Sequence, residues 1–84
     1  MSSVTVSQLR MARAALNWTL SDLSEASSVS SRTIRRIETE NGLERATPAN
    51  IKLIRETLEA AGIEFVGTAE EGPGVRLWSK SASP

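Results

Sequence analysis

Apolar residues recur at helical spacing through the first two thirds of the chain. Leu9, Ala12 and Leu16 stand three and four apart, which predicts an amphipathic helix over about residues 6–17, capped by Thr5 or Ser3. Ala14 and Ala15 add helix propensity. Leu20, Leu23 and Ser27 share one side of a second, short helix ending near Ser27, and Thr19-x-x-Asp22 at its start resembles a capping box with Asp in place of Glu. Ser28 then occupies a turn where glycine would be the easy choice. Ser30 caps a third helix, about residues 31–39, in which Ile34 and Ile37 face inward and Val29 lies just before the start. Asn41-Gly42 is a stop signal. Thr47-Pro48 starts a further helix that carries Ile51, Ile54 and Leu58 and runs to about residue 61, before Gly62.

Beyond Gly62 the period changes. Ile63-Glu64-Phe65-Val66 and Val75-Arg76-Leu77-Trp78 are short, β-rich segments, and Gly67, Gly72, Pro73 and Gly74 lie between them. This predicts a β-hairpin with a loose loop. A lone hairpin is barely stable in water, so it must pack on the helices or on a second copy of itself. The expected organisation is a helical domain over residues 1–62, a hairpin over 63–79 and a disordered tail over 80–84. No internal repeat is visible. The two short helices joined by about three residues have helix-turn-helix geometry.

Composition removes most enzymatic chemistry. The chain has 84 residues, no cysteine and no histidine. Thiol and imidazole catalysis are excluded, and a metal site would have to be built from carboxylates alone. The serines sit on caps with no base beside them. We therefore expect no catalytic residue, no metal and no cofactor. No signal peptide and no membrane span is visible, and the absence of cysteine fits a cytoplasmic protein. The Asn17-Trp18-Thr19 acceptor match is accidental in that compartment.

Net charge is zero, but residues 1–36 carry an excess of three positive charges and residues 37–84 an excess of three negative ones. The positive part holds "SSVSSRTIRRIE", residues 27–38, with four serines, a threonine and three arginines. On a helical wheel Ile34 and Ile37 point to the core, while Ser31, Arg32, Arg35 and Arg36 point away. An ordinary solvated helix would mix Glu and Lys there. Hydroxyls near a helix start suit phosphate, and arginine makes bidentate bonds to guanine in the major groove. The competing interpretation is a capped surface helix with incidental arginines.

The stretch "LRMARAALNWTLSDLSEASSVSSRTIRRIE", with "NG" and a further helix after it, resembles the Cro/repressor (xenobiotic-response-element) class of helix-turn-helix proteins. The specific part is "TLSDLSEASSVSSRTIRRIE", with Leu23, Val29, Ser30, Ile34 and Ile37 where the motif wants them. The resemblance covers residues 6–62. It implies a mainly α, lambda-repressor-like fold of four to five helices, here extended by the C-terminal β-hairpin, and binding to double-stranded DNA as a dimer. It makes Ser30 a cap and phosphate contact, and Ser31, Arg32 and Arg36 base-reading candidates. Thr33 and Arg35 become backbone contacts or flanking readers. It also pairs Arg13 with Glu38 as a structural tie.

Three positions depart from the family pattern. Leu20 stands where a phosphate-contacting Gln is common. Ser24 replaces a small apolar residue and, if buried, needs a hydrogen bond to a carbonyl one turn earlier. Ser28 replaces the turn glycine at a cost of about 1 kcal/mol if its φ is positive.

Trp18 is expected to cover the core. In the hairpin, Phe65 and Leu77 can cover the domain while Trp78 lies on the opposite face, and Val66, Leu77 and Trp78 are assigned to a homodimer interface. Glu70-Glu71 solubilises the loop. Three functions compete: a transcriptional repressor without a sensing domain, an antitoxin-like protein that binds a toxin and regulates its own operon, and a protein-interaction module that has lost DNA binding.

Overall fold

The protein is described by a computed structural model that covers residues 4–39 and 42–78. The alternative cap Ser3, the stop residue Asn41 and the tail over 80–84 lie outside the described residues. Five helical segments precede a two-stranded antiparallel hairpin: α1 (Val6–Leu16), α2 (Leu20–Ser27), α3 (Ser31–Ile37), α4 (Gly42–Arg45), α5 (Pro48–Ala60), β1 (Ile63–Val66) and β2 (Gly74–Leu77).

The cap residues set the helix starts. Thr5 and Thr19 each form a reciprocal capping box, with Gln8 and Asp22 respectively. Ser30 and Thr47 each accept the backbone N–H three residues on, and Pro48 opens α5. Two helix ends use left-handed residues, Asn17 (φ 59°) and Ser28 (φ 66°). Asparagine tolerates that conformation, whereas serine is strained in it. Ser28→Gly should therefore raise the unfolding free energy by about 1 kcal/mol, measured by urea denaturation. Ser24 is half-buried, and no buried side-chain polar atom among the described residues lacks a partner. Its hydroxyl is therefore not a fully buried orphan.

The third helix is shorter than its periodicity suggests. It ends at Ile37, and Glu38 caps it with non-helical dihedrals (φ −81°, ψ 1°). One element between Glu38 and Thr47 has no signature in the pattern, the single turn α4. It begins at Gly42, where a β-carbon would stand 2.1 Å from the Arg36 carbonyl oxygen. Only glycine lets the chain double back so closely on the end of α3.

A single core joins helices and hairpin. Leu9 and Ala12 from α1, Leu23, Ile34, Ile37, Ile54 and Leu58 meet Ile63 of β1 in one buried cluster, with Trp18, Phe65 and Val75 packed against it. In the hairpin Ile63 pairs with Leu77 and Phe65 with Val75, so these four share the face toward the helices. β2 lies along α1 and β1 against α5. Leu77, expected to cover the domain, remains 45% exposed, because it sits at the open end of the ladder beside Gly62.

Gln8 makes the attachment specific. Its side chain is buried, and its Nε2 donates to the carbonyls of Val66 and Gly74, each at 2.9 Å. Its Oε1 accepts the Thr5 N–H at 2.9 Å. One amide thus completes the cap of α1 and holds the loop end of the hairpin. Gln8→Glu keeps the shape but turns the donor into an acceptor facing two carbonyls. We expect a loss of about 1–3 kcal/mol at pH 7. The carboxyl, disfavoured as an anion, is protonated more readily in the folded state, so the deficit relative to wild type shrinks as pH falls. Paired urea melts at pH 4 and pH 7 check this.

Candidate nucleic-acid interface

The segment that opens the interface is built by α2, its turn and α3. Ser27, buried at the end of α2, accepts the Val29 N–H at 3.2 Å. Val29 then drops into the core and brings Ser30 out as the cap of α3. The Ser30 hydroxyl accepts the Thr33 N–H at 3.1 Å and donates to the Thr33 hydroxyl at 2.9 Å. Thr33 is half-buried as a result.

With Ile34 and Ile37 locked inside, the remaining positions of α3 have one direction left. Ser31, Arg32, Arg35 and Arg36 are all exposed. Among the described residues, Lys52, Arg55 and Arg76 each stand beside a carboxylate, whereas Arg32, Arg35 and Arg36 have none. Among the described residues, one short helix thus carries three exposed guanidinium groups without a carboxylate partner. Arginine forks of this kind fit phosphate and guanine edges.

Two arginines of α1 hold the end of this helix in place. Arg13 grips Glu38 with both arms, Nε to Oε2 at 2.8 Å and Nη2 to Oε1 at 2.7 Å, while Nη1 donates to the Trp18 carbonyl at 3.1 Å. Glu38 is buried. Its hydrogen bonds hold the Arg13 guanidinium above its ordinary pKa, and burial pulls the other way. Arg10 adds a hydrogen bond from Nη2 to the Glu38 carbonyl. Arg13 is thus neutralised by its carboxylate, whereas Arg10, exposed and bonded to a carbonyl, keeps its charge at the surface beside the end of α3. Arg10 was legible only as a charge. That it reaches the carbonyl end of α3 depends on the crossing of two helices far apart in sequence.

The hairpin residues stand apart from this surface. Val66 is half-buried, and its carbonyl is taken by Gln8. Trp78 is 51% exposed. Its indole Nε1 donates to Glu64 at 2.9 Å, and Arg76 bonds the same oxygen at 2.9 Å with its guanidinium 5.6 Å from the indole centroid. Among the described residues no group of three metal-ligating side chains comes together, and no helix is long and apolar enough to cross a membrane.

The family model described as helix-turn-helix, of Cro/C1 type, matches residues 9–61. No curated protein and no solved structure matches the chain.

Proposed function

Because the chain belongs to the Cro/C1-type helix-turn-helix family of DNA-binding transcriptional regulators, which is not an enzyme family, we propose that it is a cytoplasmic repressor that binds a two-fold operator as a homodimer. The observation that carries this reading is the trio Arg32, Arg35 and Arg36, exposed on the outer face of α3 with no carboxylate partner among the described residues. With α3 in the major groove, Arg32 and Arg36 stand one turn apart and read guanine edges, with Ser31 beside them. Arg35 and Thr33 contact the sugar–phosphate backbone. Ser30 caps the helix and meets a phosphate. Arg13 and Glu38 fix the angle at which α3 is presented.

A dimer places two such helices about 34 Å apart, on successive major grooves. Val66, Leu77 and Trp78 of the hairpin supply the surface for it, Trp78 being the most exposed large apolar side chain among the described residues. That same exposed indole favours a second reading, in which the hairpin takes a foreign protein partner such as a toxin while α3 regulates the operon. A toxin gene next to this one would decide for it.

The test is selection of bound duplexes from random DNA, followed by gel shifts of the winner across a salt series. The expected result is affinity falling steeply with salt and a preference for the selected site of about a thousandfold or more over random duplex. Salt-sensitive binding without preference would reduce the protein to a nonspecific DNA coat, and no binding at low salt would leave it a protein-interaction module.

A further inference from the structure

Between α2 and α5 the surface opens into a shallow groove of about 450 Å³, lined by Trp18, Ala26, Leu53, Glu56 and Ala60 among others. The lining is largely apolar, and Leu53 is left 44% exposed within it. Ala61 also lines the groove. One residue on, the Gly62 carbonyl accepts the Trp78 N–H at 2.8 Å, and a β-carbon on Gly62 would stand 3.0 Å from the Trp78 carbonyl oxygen. The cleft thus lies one residue from the backbone of Trp78, whose indole does not fill it. Its Nε1 is tied to Glu64 on the outward face of the hairpin, with Arg76 over the ring.

We infer that the groove is the seat for Trp78 of a second copy of this chain. The inference rests on the dimer reading above and adds the acceptor surface to it. Three features of the molecule favour this occupant. Donor and acceptor adjoin at Gly62, so a two-fold axis passing there seats both indoles at once, which is the reciprocity an isologous contact requires. Trp78 is already ordered by Glu64 and Arg76, so little side-chain freedom remains to be lost on docking. Charges match as well: Arg76 travels with the indole, Glu56 stands on the wall of the groove, and docking would exchange or share their exposed intramolecular partners Glu64 and Lys52. A central Trp beside an Arg is the make-up of an interface hot spot.

The test uses the full chain and two exposed-site variants, Trp78→Ala on the donor side and Ala60→Lys in the groove, each checked for native circular dichroism. Sedimentation equilibrium should give a wild-type dimer and weaken it about thirtyfold or more in each variant. In the wild-type protein Trp18 lines the groove and Trp78 would enter it, so both indoles are covered on association and the tryptophan emission should shift to the blue as concentration rises through the dimerisation range. That readout stands even if a variant fails to fold. A wild-type dimer left intact by both variants, or a wild-type emission that does not move, overturns the groove while the dimer survives. A wild-type monomer at high micromolar concentration overturns both.

Discussion

Replacing Glu38 by glutamine should lower the unfolding free energy by about 3 kcal/mol, at the lower end of the cost of breaking a buried ion pair. Glu38 has 8% of its side chain exposed and Arg13 21%, so the charge left behind is desolvated on one side and wetted on the other. For a domain this small the loss lowers the melting point by about 12 °C or more. Glutamine still offers one oxygen to the guanidinium, so Glu38→Ala should be worse. Arg13→Lys keeps the charge but loses the two-armed grip, and should fall between wild type and Glu38→Gln. The pH dependence has a definite sign. Arg13 is held above its ordinary pKa by the Glu38 carboxylate, so what that shift contributes is present at neutral pH and is lost as pH climbs into the strongly alkaline region. A Glu38→Gln protein that melts with wild type would mean that the pair contributes nothing net to the fold.

The second large effect is on DNA. Joint replacement of Arg32 and Arg36 by alanine should cost the selected operator about 2–6 kcal/mol, two bidentate contacts at about 1–3 kcal/mol each. That is a loss of about thirtyfold to twenty-thousandfold in affinity. Random duplex should lose far less, and the salt slope should fall by about one for each phosphate contact removed. Arg35→Ala serves as the contrast, weakening all sequences alike. Since both side chains are exposed and touch no carboxylate among the described residues, stability should not change. Equal losses on selected and random duplex would demote Arg32 and Arg36 to phosphate contacts.

The fold was readable where local chemistry and tertiary packing agree. Periodic leucines and isoleucines with a hydroxyl just ahead mark α1, α2, α3 and α5, and the switch from period 3.6 to period 2 marks the hairpin. The misses share a cause, which is that they are tertiary. A single turn such as α4 is too short to show a period, and Gly42 earns its place through a carbonyl on another element. Glu38 leaves the helical path as its side chain meets Arg13, which no neighbour in sequence announces. Leu77 looks like a core residue by alternation, but the helices do not reach far enough to cover it. Gln8 is the instructive omission. Its spacing from Thr5 is that of a capping box, a signal present in the chain, whereas its bonds to Val66 and Gly74 could not be read from any window of sequence. The arginines of α3 stood out by type and face. That they lack acidic partners among the described residues is a fact of three dimensions.

The reach of Gln8 also bears on the order in which a newly made chain acquires its structure. Its partners lie 58 and 66 residues further along, whereas Arg13 meets Glu38 after 25. Closing longer loops costs more entropy, and contacts between distant residues form late. The helices that present α3 can pack before the hairpin docks, while the amide of Gln8 still bonds to water and Leu9 lacks the Ile63 side of its core. The hairpin arrives last and shuts that flank. Until it does, the side of α1 that β2 will cover stays open, a target for chaperones and proteases that the finished protein does not offer.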